Sequence, residues 1–305
     1  MSNNPLCLII PTKDRPQILA RFLKSIQKQT VKPGLILIVD GGDQTVDKLL
    51  PDFPDLNFQY LRVYPPGLSK QRNAGIKAVP KAFNLMGFFD DDYVLFEDAI
   101  EKMTTFWTHQ SSKVGGASFN TMNSGCLPSK KGLFLRRLFL LNRGLSGDIL
   151  FSGIGTAQYP CDKTYRSQWL SGGSTIWRRE VLEKFTFDEW FAKYGVLDDL
   201  DFCWRVNKQY ELYVVANAKV LHQQLPRNEL LASKITAVNH CYFVSKYPEF
   251  SKLKLMWAFM GKILFQLFCF AKKRDPLSLK IVKGYIAGLN FGLRQKIIKV
   301  DGHVN

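Results

Sequence analysis

The chain is 305 residues long, 46% hydrophobic and 13% aromatic, a composition that excludes a disordered or fibrous protein and supplies a core without a metal or disulfide staple. Its formal charge is +16, yet 14 basic against 4 acidic side chains in 226–305, and five basic with none acidic in 128–143, account for nearly all of it. That distribution excludes a nucleic-acid coat over the whole surface and indicates two local basic surfaces on an otherwise nearly neutral body.

Along the chain, short β-rich apolar runs at 6–10 (LCLII), 35–39 (LILIV), 58–63 (FQYLRV), 85–89 (LMGFF) and 114–119 (VGGASF) alternate with helical patterns at about 16–29, 69–79 and 96–109. The alternation predicts an α/β fold, Rossmann-like, with a mainly parallel central sheet and helices on both faces. Ligands of such sheets bind beyond the carboxyl ends of the strands. Residues 121–168 lack periodicity and are rich in Gly, Ser and Pro, so they read as a long insertion. A short strand is expected near Trp169 to Ser171, helices over about 178–185 and 198–209, and a strand near 212–215. Beyond Pro226 the pattern is helical and basic, which divides the chain into a domain of 1–225 and a C-terminal region of 226–305. The start, MSNNPLCLIIPTKDR, lacks the basic flank and long apolar run of a secretory signal. The six cysteines are widely spaced without a CxxC pair and read as reduced thiols of a cytosolic protein.

Polar clusters stand after three of the strands. Pro11, Thr12, Lys13, Asp14 and Arg15 follow the first, Asp40, Gly41, Gly42 and Asp43 the second, and Asp90, Asp91 and Asp92 the fourth. Three adjacent carboxylates repel one another unless a cation neutralises them, and oxygen ligation by few side chains suits Mg²⁺ or Mn²⁺ bridging substrate phosphates. The plain alternative is an acidic N-terminus for the following helix. Asp40 could be an ordinary turn aspartate, and PTKDR a strand-to-helix turn in which Asp14 caps and Pro16 starts the helix. In GLSKQRNAGIKA, Ser69 is the expected N-cap, with Arg72 and Asn73 in the first turn. Arg72 there is either a bidentate partner for a diphosphate or a solvated helix arginine. Asp201 and Arg205 stand at i and i+4 and form an ion pair. Asp198 and Asp199 have no such partner in sequence, so each is either a helix-dipole acid or a general base.

Taken in order, LIIPTKDR, LKSIQKQT, IVDGGDQT, GLSKQRNAGI, FFDDDY, SGGSTIWRREV, FDEWF and LDDLDFCWR resemble the motifs of the metal-dependent family 2 glycosyltransferases of GT-A fold, over about residues 6–225. The resemblance implies that Pro11, Thr12, Asp14 and Asp40 hold the nucleoside, Asp40 accepting from the imide of the base. It implies that Arg72 faces the diphosphate, Asp90 the ribose or the metal, and Asp92 the metal itself, Mn²⁺ or Mg²⁺, completed by His222. Arg15, Asn73, Asp91, Gly172 and Gly173 fall to the same nucleotide-sugar site. The spacing maps Asp199 onto the catalytic base, but Asp198 replaces a family Glu and a slip of one residue would give it that role. The implied activity is transfer with inversion from a nucleoside-diphosphate sugar, a UDP-sugar favoured, to a hydroxyl of a lipid-linked or polysaccharide acceptor, with 121–168 on the acceptor side. A nucleotidyltransferase would carry a glycine-rich phosphate loop after its first strand, and PTKDR has no glycine. A nucleic-acid binder is disfavoured because the basic tail is apolar between its charges and has no recognised motif.

The two basic segments remain. SKKGLFLRRLFLLNRG (129–144) is either a helix packed on the domain or a lid touching anionic lipid. LKLMWAFMGKILFQLFCFA (253–271) is nearly long enough to span a bilayer, but Lys254 and Lys262 interrupt it, and a central Lys costs roughly 2.5 to 3.5 kcal/mol on insertion. On a helix Lys262, Gln266 and Lys273 fall within about 40° of one another, which leaves a broad apolar face. An interfacial helix is expected, with Lys272, Lys273 and Arg274 at the headgroups of the inner face of the cell membrane. Burial in a helical subdomain and a homodimer contact are the alternatives.

Overall fold

The computed structural model describes residues 4–125, 127–143, 146–191, 195–223 and 225–294. Strands β1 (Leu6–Thr12), β2 (Leu35–Asp40) and β4 (Leu85–Phe89) are buried along their whole length, as continuous apolar runs must be when a sheet is covered on both faces. β3 (Phe58–Arg62) forms the edge, and β3, β2, β1 and β4 are mutually parallel. Beyond β4 the sheet turns antiparallel through β8 (Ser174–Arg178), which also pairs antiparallel with β6 (Val114–Thr121). β9 (Glu211–His222) runs parallel to β6 and carries two short antiparallel neighbours, β5 (Tyr93–Leu95) and β7 (Tyr165–Ser167). The central sheet with helices around it matches the expected class, but it is mixed, parallel only in its first half and at the β6–β9 pair.

Period-two alternation divides the apolar side chains between two cores. Leu6, Leu8 and Ile10 enter one cluster with α1 (Pro16–Gln27) and α3 (Ala99–Thr108), while Cys7 and Ile9 enter the other with α2 (Leu68–Ala78), α5 (Arg179–Lys184) and α6 (Asp198–Val206). α1 buries Leu19, Phe22, Leu23 and Ile26, an i, i+3, i+4, i+7 stripe, and Pro16 opens it as expected; its cap is Arg15, without a side-chain bond from Asp14. α2 lies close on the sheet because Gly75 has no Cβ, which would meet Ile9.

Several expectations are revised. No strand forms at 169–171: the Leu170 amide is held by Cys203 Sγ at 3.3 Å and the Trp169 carbonyl by Gln158 and Ser167 side chains, so side-chain bonds replace a ladder. β9 is three times longer than the strand expected at 212–215, because neighbours on both sides extend it to His222. β5 and a 3₁₀ turn over Asp47–Asp52 carry no periodic signal and were not anticipated. Cys7, Cys161, Cys203, Cys241 and Cys269 are free thiols, and Cys126 lies outside the described residues.

The chain forms two compact units, Met1–Leu127 with Ala157–Leu225, and Pro128–Thr156 with Pro226–Asn305. Residues 128–156, expected as part of an insertion in the first domain, therefore fold with the C-terminal region. The second unit comprises α4 (Lys130–Leu138), α7 (Glu229–Lys246), α8 (Lys252–Lys273) and α9 (Pro276–Arg294). Gly284, Gly288 and Gly292 of α9 face α7, where a Cβ would strike Ser233, Ala237 and Cys241 respectively. α4 is tied to α8 by the Trp257 indole, which donates to the Leu138 carbonyl at 2.8 Å and stacks on Phe139.

Candidate active site

The parallel register sets Thr12 opposite Asp40, and β4 beside β1 brings the acidic run 90–92 to the same sheet edge. All three polar clusters thus meet, as the strand-end rule predicts. A cleft of about 340 Å³ opens there, lined by Pro11, Thr12, Arg15, Gln71 and the three aspartates among others. A larger groove of about 760 Å³ along Arg21, Lys24, Lys28 and Phe96 contains none of these groups. Gln71, which in sequence is one more polar helix residue, ties two strand ends together by donating to the Thr12 carbonyl at 3.0 Å and the Val39 carbonyl at 2.8 Å.

Asp40 is fully buried. Its Oδ1 accepts from the Gly42 amide at 2.7 Å, and its Oδ2 from the Val46 amide at 3.0 Å and the Tyr60 hydroxyl at 2.7 Å, with Arg62 3.4 Å away. The carboxylate organises the loop after β2. Its oxygens are engaged by the protein itself, where the sequence led us to expect a base contact. Burial and the Asp40 bond push the Tyr60 phenol up to about 12, so it remains a donor to this carboxylate. Asp14, with a left-handed φ of 51°, accepts from the Gln44 amide at 2.9 Å and fastens the β1 loop to the β2 loop.

The three aspartates play different parts. α3 begins at Ala99, so the run does not cap a helix. Asp91 is buried, takes a 2.6 Å bond from the Thr12 hydroxyl and lies 3.3 Å from Arg15; burial lifts its carboxyl to about 6 against the pull of that arginine. Asp92 Oδ1 is buried without a hydrogen-bond partner, and His222 Nε2 lies 3.4 Å from it. His222 is held there by its ring stacking on Tyr93 at 4.7 Å and by Asn123, which bonds its backbone in both directions at 3.0 and 2.8 Å. An unsatisfied carboxylate oxygen beside an imidazole nitrogen fits a divalent cation. Among the described residues no group of three His, Cys, Asp or Glu forms a cage, which suits Mn²⁺ or Mg²⁺ whose remaining ligands are water and phosphate. With a nucleoside diphosphate, Mn²⁺ is expected to raise the melting temperature of the parent chain, and Asp92→Asn is expected to remove that rise while keeping folding stability within ~1 kcal/mol. A rise equal to that of the parent chain would reject Asp92 as the ligand.

Arg72 departs most from expectation. Its side chain is 2% exposed, with Nη1 on Asp198 at 2.8 Å and Nη2 on Asp90 and the Gly172 carbonyl, both at 3.1 Å. Phe88 and Phe187 flank the guanidinium at 5.8 and 5.3 Å. It is a buried tie between the acidic run and α6, where a free arginine facing a diphosphate was expected. Asn73 likewise clasps the loop before α6, bonding Phe187 in both directions at 2.9 Å and Glu189 at 3.1 Å. Ser69 is not the N-cap, a position taken by Gly67; its hydroxyl lies 3.3 Å from Asp198.

The two candidate bases are thereby distinguished. Asp198 is buried and neutralised by Arg72. Among the described residues no cation lies at bonding distance of the Asp199 carboxylate: Oδ2 accepts from the Gly172 amide at 3.0 Å and Oδ1 from the Leu200 amide at 2.8 Å. Loss of water, and then the neighbouring Asp198 charge, raise its carboxyl to about 6. Leu197, left-handed at φ 73°, turns the chain into this helix. Gly172 and Gly173 allow the close approach: a Cβ on the first would stand 2.9 Å from Arg72 and from Asp199, and on the second 2.6 Å from Asp90 and 2.8 Å from Tyr93. The Asp201–Arg205 pair forms as expected, at 3.0 Å.

Residues 7–157 match the profile of the family described as glycosyl transferase family 2. No curated protein matches the chain significantly. Among solved structures, residues 1–349 of S. aureus TarS are similar with a TM-score of 0.54 at 13% identity, over 93% of this chain and 80% of that one. The same fragment in complex with UDP-GlcNAc gives 0.54 at 14%, over 95% and 80%. The mannosyltransferase PcManGT from Pyrobaculum calidifontis, in complex with GDP-Man and Mn²⁺, gives 0.59 at 14%, over 97% and 90%. At these identities the likeness is one of fold.

Proposed function

Since the chain is a glycosyltransferase of family 2 with a GT-A fold, we propose that it moves one sugar, with inversion, from a nucleoside-diphosphate sugar to a hydroxyl of a lipid-linked or polysaccharide acceptor, a UDP-sugar being the favoured donor. The observation that carries this reading is the contrast within the acidic pair: Asp198 is spent on Arg72, while Asp199, oriented by two backbone amides, keeps a carboxylate able to take a proton near neutral pH.

In this scheme Asp199 accepts the proton of the acceptor hydroxyl as that oxygen attacks the anomeric carbon. The bond from that carbon to the diphosphate breaks on the opposite face, and one displacement inverts the configuration. Asp92 and His222 would hold a divalent ion, Mn²⁺ or Mg²⁺, whose positive charge supports departure of the diphosphate. Thr12 and Arg15 fix Asp91, and Asp40 and Asp14 shape the loops around the nucleoside. A retaining route would need a carboxylate nucleophile against the sugar. Asp198, tied to Arg72, is poorly suited to that task. The basic apolar segments and the free thiols support a place on the cytoplasmic face of the membrane.

The test begins with melting-temperature shifts on UDP- and GDP-sugars with Mn²⁺ or Mg²⁺. The product formed from the α-linked donor so identified is then examined by proton NMR. The anomeric coupling of a β-linked product is expected, and an α-linked product rejects the single displacement.

A further inference from the structure

Within the second unit, α8 is amphipathic in an unusual sense. Leu255, Ala258, Phe259 and Gly261 are its buried residues, Phe259 meeting His240 of α7 and Tyr285 of α9, and the Lys262 ammonium sits over the Phe259 ring at 4.8 Å and the Tyr285 ring at 5.9 Å. The lysine that interrupts the apolar run therefore faces the protein. At 100° per residue Leu253, Trp257, Met260, Leu264, Leu267 and Phe268 all fall within about 60° of the direction opposite Lys262. All six are exposed, Leu253 by 84% and Phe268 by 63%. α4, which buries none of its own residues and is fixed to α8 through Trp257, exposes Phe134, Leu135 and Leu138 as well. Single exposed leucines are ordinary, but a face of this extent marks an interaction surface.

Charge selects the occupant. Lys252, Lys254 and Lys272 lie at the two lateral edges of the apolar face, about 80° from Lys262. Lys273 and Arg274 end the helix, and Arg136 and Arg137 stand on α4. A second copy seated on this face would bring rows of like charge together and would be opposed by them, whereas an anionic headgroup layer meets the flanking Lys252, Lys254 and Lys272. A span is opposed by the packing of Leu255 to Lys262 against the protein, which would have to be given up. We propose that α8 and α4 form a docking surface for an anionic lipid bilayer, with α8 lying in the headgroup plane and its apolar face inserted. This is independent of which sugar is transferred.

The full chain should sediment with phosphatidylcholine vesicles that contain phosphatidylglycerol and stay in solution with phosphatidylcholine alone, with the bound fraction falling as salt rises. At about 1 kcal/mol per cation, Lys252→Gln with Lys272→Gln should weaken binding roughly 30-fold. Leu264→Asp with Phe268→Asp should weaken it at least about tenfold by loss of inserted apolar area. Both pairs are exposed, so melting temperatures should match the parent chain, which separates lost docking from misfolding. Equal binding to the two vesicle types, or none at low salt, would overturn the proposal. Retention in membranes through alkaline carbonate washing would replace it with a span. Dimers in light scattering that dissociate on Leu264→Asp, without vesicle binding, would assign the face to a second copy.

Discussion

Asn in place of Asp199 is expected to lower sugar transfer roughly 10²- to 10⁴-fold, the usual contribution of a general base, while calorimetry with the donor returns an unchanged affinity. The amide can still accept a backbone hydrogen bond from Gly172 or Leu200 but cannot take a proton, so the fold around it should persist. The pH dependence follows from the same residue. A base must be ionised to act, and burial with the Asp198 charge raises the Asp199 carboxyl to about 6, so kcat/KM should climb with pH through about 6 and then level. Asp198→Asn removes one of the two influences that raise it, and the rising limb should move toward acid. Full transfer by Asp199→Asn together with none by Asp198→Asn would pass the role of base to Asp198.

Arg72→Met is expected to destabilise the protein by about 3–5 kcal/mol in denaturant unfolding, because it leaves the buried carboxylate of Asp198, and the half-buried one of Asp90, without their counter-charge. The side chain has nearly the right length and sits between Phe88 and Phe187, so lost packing is a minor part of the effect. The control is the double variant with Asp198→Asn. If the charge pair is the origin of the loss, the double variant should be more stable than Arg72→Met alone. A double variant with the sum of the two separate losses would instead mean that the residues act independently.

Legibility in the sequence followed the range of the interactions. Strand ends were readable because continuous apolar runs stop abruptly at Pro11, Asp40 and Asp90, and the parallel register then makes their convergence a necessity. What each charge does once there depends on partners far away in the chain. Arg72 meets Asp198 across 126 positions and Asn73 reaches Phe187 across 114, so a diphosphate contact and a buried ion pair look alike in sequence. Asp198 and Asp199 are chemically identical neighbours, and what separates them is the Arg72 guanidinium, which pairs with Asp198, while two backbone amides hold Asp199. The segment 128–156 was assigned to the wrong unit for a related reason. It has too little periodicity to declare a face, and its attachment to α8 rests on contacts far apart in the chain, the Trp257 indole on Leu138 and Phe139 and the Ser251 amide on the Phe151 carbonyl. Lys262 was readable as a defect in a span, but not as a residue pointing inward, since that direction is set by Tyr285 on the next helix.

The three glycines of α9 have a consequence for self-association. Small residues four apart form the flat seam by which two identical helices most readily come together. Here Gly284, Gly288 and Gly292 are already spent on α7 of the same chain. That seam is thereby closed within the chain, so a second copy of α9 has no glycine face to meet there unless α7 first leaves it.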